Sequence, residues 1–189
     1  MTTPRAIVIG CSAGGLNALE TLFAALSPQL QQPIALCCHT GSSTVTLMCE
    51  LLAQHATLPV VEARERAMMQ DGTIHVAPSG YHLLVETSHR FSLSVDERVS
   101  FARPSIDVLF DSAAEAFRDA LIGVVLTGAN RDGAEGLRHI RRLGGLAIVQ
   151  EPSDAEVSAM PAAALELAGA DHCLPLAGIA PLLNRLCLP

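Results

Sequence analysis

The chain has 189 residues, a length that fits one compact domain able to bury a sizeable core. Half of the residues are apolar but only 3% are aromatic, so the core is expected to be aliphatic. The net charge is −7, from 12 basic and 19 acidic side chains, and none of the bases is lysine. An acidic chain without a basic, aromatic-bearing stripe is expected to bind no nucleic acid and to avoid anionic membrane surfaces.

Ala6–Ile9 is short, apolar and β-branched, and reads as a buried strand. Gly10–Gly15, Gly-Cys-Ser-Ala-Gly-Gly, reads as a tight turn. Leu16, Leu19, Phe23 and Leu26 then recur at helical spacing. The turn matches the nucleophile-elbow pattern G-x-S-x-G, which presents Ser12 beyond a strand and beside a helix N-terminus. Gly10 and Gly14 are expected to permit the bend and Gly15 to keep the path beside the serine open. The bland alternative is a phosphate-cradling or structural turn. Against a dinucleotide site, the spacing is not G-x-G-x-x-G, and the second strand ends in His39 rather than an acid. Without lysine, a P-loop is excluded.

Pro33–Cys38 reads as a second buried strand, Thr40–Ser43 as a polar turn and Val45–Leu52 as a helix. Pro59–Ala63 and Thr73–Ala77 are short strands on either side of a charged loop. His82–Thr87 and Phe91–Val95 alternate around a turn, which predicts an antiparallel hairpin. Pro104–Phe117 is amphipathic, with Pro104 placed in its first turn. Ala120–Leu126 is continuously apolar, as a central strand requires. A glycine-bearing turn leads to a helix over Ala134–Arg142, stopped by Gly144 and Gly145. Leu146–Gln150 is a strand, helical segments follow near Ala155–Ser158 and Pro161–Leu167, His172–Leu174 is a short strand, and Ala177–Leu186 closes the chain. The alternation predicts an α/β fold: a doubly wound, mostly parallel sheet with helices on both faces and one hairpin, in a single domain over residues 1–189.

Six cysteines show no C-x-x-C or metal-ligand spacing and read as small apolar residues in a reducing compartment. Cys37 and Cys38 must point to opposite faces of their strand. With no signal peptide and no run able to span a bilayer, a cytoplasmic location without membrane insertion is expected.

In such sheets ligands bind beyond the carboxyl ends of the strands, where strand order reverses. Ser12, His39 and Asp132 each follow a predicted strand end. If the first strand lies between the other two, the three side chains converge as nucleophile, base and orienting acid. Read singly, His39 is better taken as a hydrogen-bonded loop residue and Asp132 as a helix cap; the joint pattern reverses both.

The sequence resembles the catalytic domain of the bacterial chemotaxis protein-glutamate methylesterases over roughly Ala6–Leu186. The resemblance rests on the serine turn, His39, Ala77-Pro78-Ser79-Gly80-Tyr81-His82, Arg103-Pro104-Ser105-Ile106-Asp107-Val108-Leu109-Phe110, Leu126-Thr127-Gly128 ahead of Asp132-Gly133-Ala134, Gly144-Gly145 and Met160-Pro161-Ala162-Ala163-Ala164. It implies that Ser12 is the nucleophile, His39 the base and Asp132 its partner. The implied substrates are γ-glutamyl methyl esters on the cytoplasmic helices of methyl-accepting receptors, with deamidation of receptor glutamines as a second reaction. Backbone N–H groups near Ala13 and Ala129, flanked by Gly128, are the expected oxyanion donors, and Tyr81 and His82 are expected to shape the substrate site. No metal or organic cofactor is implied. Beyond the receptor, a chemosensory kinase or a separate regulator is the implied partner.

The chain departs from the family pattern where Ala13 replaces threonine, Thr40-Gly41 replaces Met-Pro, and Ala129-Asn130 replaces Met-Gly. Asn130 is the least unfavourable stand-in for glycine if φ is positive there. The receiver domain that many members carry is expected to be absent. Two rivals remain: a receptor-docking relative without turnover, and a nucleotide-binding protein using the Gly10–Gly15 turn.

Overall fold

The computed structural model describes residues 3–39 and 45–188; the turn expected over Thr40–Ser43 lies outside them. In chain order the elements are β1 (Ala6–Cys11), α1 (Gly15–Ala24), β2 (Ile34–Cys38), α2 (Val45–Ala53), β3 (Val60–Glu62), β4 (Ile74–Val76), β5 (His82–Val85), β6 (Phe91–Ser94), α3 (Ile106–Phe117), β7 (Leu121–Val125), α4 (Ala134–Arg142), β8 (Leu146–Gln150), α5 (Ala159–Leu167), β9 (His172–Leu174) and α6 (Leu176–Cys187). Seven strands form one sheet in the order β3-β4-β2-β1-β7-β8-β9, and every pairing in it is parallel. β5 and β6 pair antiparallel as a separate two-stranded ribbon, so the expected hairpin exists but is not part of the main sheet.

The central strands β1, β2 and β7 are buried on both faces, which is why they read as unbroken apolar runs rather than alternating ones. In β1, Ile7, Ile9 and Cys11 point into one core, shared with α1, α2 and α6. Ala6 and Val8 point into the other, shared with α3, α4, α5 and the ribbon. Cys37 and Cys38 divide between the two cores, as strand geometry demands. Cys173, by contrast, is exposed.

Three local expectations are corrected. Residues 155–158 form turns and bends, not a helix. Their backbone is claimed from outside: Val157 N–H donates to Thr127 Oγ1 at 2.9 Å, and Val157 C=O accepts from Gly128 N–H at 3.0 Å. Pro104 lies before α3 rather than inside its first turn, because Ser105 is the N-cap and its hydroxyl accepts from Val108 N–H. Gly10 sits within β1 and makes no left-handed bend; a side chain there would collide with Ile106 of α3. The bend falls to Gly14, at φ 76° before α1, and a matching left-handed Gly133, at φ 96°, precedes α4.

α3 and α4 pack so closely that a Cβ on Gly136 would stand 2.5 Å from Phe110 Cβ and 3.1 Å from the Asp107 carbonyl oxygen. Gly136→Ala is therefore expected to destabilise the fold by about 1–3 kcal/mol, despite alanine's better helix propensity. A denaturant midpoint unchanged or raised relative to the parent contradicts this packing.

Candidate active site

β1 lies between β2 and β7, so the loops leaving the three strands meet at one rim of the sheet, where strand order reverses. Backbone bonds hold the junction. Ser12 N–H donates to Thr127 C=O at 3.0 Å, and His39 N–H donates to Cys11 C=O at 3.1 Å. Ser12 and His39 line one cleft of about 310 Å³ together with Cys38, Asn130 and a rim loop over residues 98–104. A larger hollow, about 470 Å³ around Pro4, Gln31 and Met68, holds no pairing of a nucleophile with a base.

His39 Nε2 and Asp132 Oδ2 are 2.8 Å apart. Asp132 is fully buried and accepts from three further donors, which form the start of α3. Ile106 N–H reaches Oδ2 at 2.7 Å; Ser105 Oγ–H and Asp107 N–H reach Oδ1 at 2.9 and 3.0 Å. Burial alone would push this carboxyl up. The His39, Asp107, Ile106 and Ser105 donors outweigh it and hold the pKa below the usual carboxylate value. Asn130 fixes the other ring nitrogen of His39. Its Oδ1 accepts from Asp132 N–H at 3.1 Å, which turns its amide nitrogen to His39 Nδ1 at 3.4 Å. An amide nitrogen only donates, so Nδ1 is the acceptor, and the ring proton sits on Nε2, donated to Asp132. Asn130 is not at positive φ, so it acts here through its side chain and not as a glycine substitute.

The Ser12 hydroxyl makes no hydrogen bond among the described residues, and neither the Ala13 nor the Ala129 N–H donates one. Among the described residues those two N–H groups therefore have no partner. Gly128, in contrast, spends its N–H on Val157 C=O. Tyr81 and His82 do not line the cleft. His82 is buried: Nε2 donates to Glu97 C=O at 2.9 Å, and Nδ1 accepts from Ser105 N–H at 3.2 Å. Arg103 donates from Nη1 to the Val95 and Asp96 carbonyls at 2.7 and 3.0 Å, so that guanidinium nitrogen tethers its own loop. Phe101 stands 95% exposed on the same loop.

Two residues received no role from sequence reasoning although both were quoted in a motif. Ser105 carries an N-cap signal, a serine just before an amphipathic run, and its hydroxyl also reaches Asp132. Asp107 Oδ1 accepts from Gly133 N–H at 2.9 Å and Gly136 N–H at 2.8 Å, capping α4 from the side of α3. Burial pushes its carboxyl up to about 7; the Asp132 charge adds to this, and the two N–H groups oppose it. A folded pKa above the unfolded value of about 3.9 means the folded chain holds this proton more tightly, so stability falls as pH rises from roughly 4 to 7. Asp132 has the opposite sign, and its contribution disappears only in acid, below its ordinary range. Asp107→Asn preserves the acceptor for both glycines and removes the titration. It is expected to flatten the decline in urea stability between pH 5 and 7 by up to about 1.4 kcal/mol per pH unit. Parallel pH profiles for the two chains contradict the assignment.

Among the described residues no group of three or more His, Cys, Asp or Glu side chains could hold a metal ion, and no helix is long and apolar enough to cross a membrane.

Residues 7–183 match the family model for CheB methylesterase. A putative protein-glutamate methylesterase/protein-glutamine glutaminase of Leptospira interrogans is 47% identical over 182 residues, 96% of this chain and 94% of that protein. Longer relatives match over about half their length. A protein-glutamate methylesterase/protein-glutamine glutaminase of Mesorhizobium japonicum is 38% identical over 98% of this chain and 55% of its own. The protein-glutamate methylesterase FrzG of Myxococcus xanthus is 37% identical over 92% of this chain and 52% of its own. The crystal structure of the Thermotoga maritima CheB methylesterase catalytic domain superposes with a TM-score of 0.93 at 28% identity, covering 98% of this chain and all of that one. On the family match, these identities and the shared fold, the chain belongs to the CheB methylesterase family, the chemotaxis-type protein-glutamate methylesterases and glutaminases.

Proposed function

We propose that the chain is a serine hydrolase that removes methyl groups from γ-glutamyl methyl esters on the cytoplasmic helices of chemoreceptors, and deamidates receptor glutamines by the same route. The observation that carries this reading is the 2.8 Å His39–Asp132 pair beside Ser12 in one cleft. The Ser12 hydroxyl turns to His39 Nδ1 in place of the long 3.4 Å Asn130 contact, gives up its proton there and attacks the ester carbonyl. Asp132 holds the Nε2 proton and stabilises the imidazolium that forms. The N–H groups of Ala13 and Ala129, which have no partner among the described residues, receive the oxyanion. His39 returns its proton to the leaving methoxide, methanol departs, and water activated at the same nitrogen hydrolyses the acyl-serine to a receptor carboxylate. For an amide the leaving group is ammonia. Exposed Arg98 and Phe101 offer a cation and an apolar contact to an acidic amphipathic helix approaching the rim. Family membership favours this chemistry over nucleotide binding at the Gly10–Gly15 turn.

The test is methanol release from a methylated receptor cytoplasmic fragment. Release that tracks loss of receptor methyl groups is expected. If the rate matches that of a Ser12→Ala control, the chain is a docking module instead.

A further inference from the structure

Two thiols lie directly beneath the site. Cys11 and Cys38 are partners in the β1–β2 register and come immediately before Ser12 and His39. Both point into the core shared with α1, and both sulfurs fall within 3.3 Å of where a Cβ on Gly15 would stand. The missing side chain of Gly15 thus leaves room for the sulfurs to approach, and each thiol shifts the pKa of the other. They differ in access. Cys11 is fully buried, whereas Cys38 forms part of the cleft wall beside Ser12 and His39.

We propose that Cys11 and Cys38 form a reversible disulfide when a hydroperoxide enters the cleft, and that this bond disables the site above it; the effect on hydrolysis rests on the reading of Ser12 and His39 given above. Cys38 reacts first. Its sulfur attacks a peroxide oxygen and the O–O bond breaks, giving Cys38 sulfenic acid and one water. Cys11 sulfur then attacks the sulfenyl sulfur; the S–O bond breaks, the Cys11 proton leaves with the hydroxyl as a second water, and the S–S bond forms. Two thiols and one hydrogen peroxide become one disulfide and two waters, with both electrons passing from sulfur to peroxide. The neighbouring Cys11 thiol lowers the Cys38 thiol pKa against the opposing effect of burial, and the Cys38 thiol, followed by burial, raises Cys11. This assigns attack to Cys38 and resolution to Cys11.

A disulfide holds its sulfurs only ~2.05 Å apart. Closing the contact to that length draws together the ends of β1 and β2, from which Ser12 and His39 continue without an intervening residue. A displacement near 1 Å between reacting groups is enough to lower a rate about 100-fold.

The test uses the full chain with Cys173→Ala, which removes the exposed thiol and with it intermolecular pairing. The chain is treated with hydrogen peroxide and followed by intact mass, by histidine-ring NMR and by methanol release. The expected results are a loss of 2 Da, displaced His39 ring signals, and activity at least 10-fold down, all restored by dithiothreitol. Cleavage after Glu20 and Glu50 separates Cys11 from Cys38, so the cross-linked pair of peptides reports the bond, and Cys38→Ala must abolish it. Each variant is compared with its own reduced form. The proposal is overturned if peroxide leaves the cross-link unformed, or if it forms with the His39 signals and the activity unchanged. Should the reduced chain release no methanol, the hydrolase reading fails, while mass and NMR still decide the disulfide.

Discussion

Asp132→Asn is expected to lower kcat for methyl-ester hydrolysis about 10⁴-fold and to destabilise the fold at the same time. The two effects share one cause. Each oxygen of Asp132 faces a backbone N–H, Ile106 at Oδ2 and Asp107 at Oδ1. An asparagine NH₂ must therefore confront a donor whichever way the amide turns. Placed toward Asp107, it leaves that N–H unpaired and buried, while Ser105 Oγ can rotate to accept. Placed toward His39, it forces Nε2 to accept and moves the ring proton to Nδ1, the tautomer that cannot take a proton from Ser12. One buried unsatisfied N–H costs about 1–3 kcal/mol. Asp132→Ala is expected to cost more, because Ile106, Asp107 and Ser105 all lose their acceptor. Urea titration and single-turnover kinetics read the two quantities separately. Activity within tenfold of the parent would remove Asp132 from the mechanism.

Ser12→Ala is expected to show the opposite separation. The Ser12 hydroxyl has no hydrogen-bond partner among the described residues, and its side chain is only half-buried. Its removal should leave the denaturant midpoint within about 0.5 kcal/mol of the parent. Hydrolysis, which requires the hydroxyl as nucleophile, is expected to fall roughly 10⁴–10⁶-fold. Covalent labelling by a fluorophosphonate should vanish with it. A Ser12→Ala chain that keeps a tenth of the methanol release, or that is labelled as before, means another group attacks.

Much of the framework was legible before the structure. Parallel strands buried on both faces appear as unbroken apolar runs, and the runs at 6–9, 33–38, 120–126 and 146–150 mark the four central strands to within two residues at either end. The His39–Asp132 pair and the cleft that Ser12 and His39 share follow from the same strand placement, since residues past neighbouring strand ends share one edge of the sheet. What escaped the sequence depends on partners far away in the chain. Residues 155–158 look helical in isolation, but Thr127 takes the Val157 N–H that a helix would use. His82 was expected to shape the substrate site, yet it is buried and Glu97 and Ser105 provide a partner for each ring nitrogen. Asn130 stands at a family glycine, which suggests a backbone role. Its actual work is done by the amide, through the short-range bond to Asp132 N–H that no periodicity encodes.

The rim loop carries Phe101 outward while its two flanks are pinned, one through the Arg103 guanidinium to the Val95 and Asp96 carbonyls and one through His82 to Glu97. A protruding apolar tip on a tethered base gives up little conformational freedom when something settles over it. If a receptor helix docks here as proposed, it meets a tethered loop rather than a tail that must first be ordered.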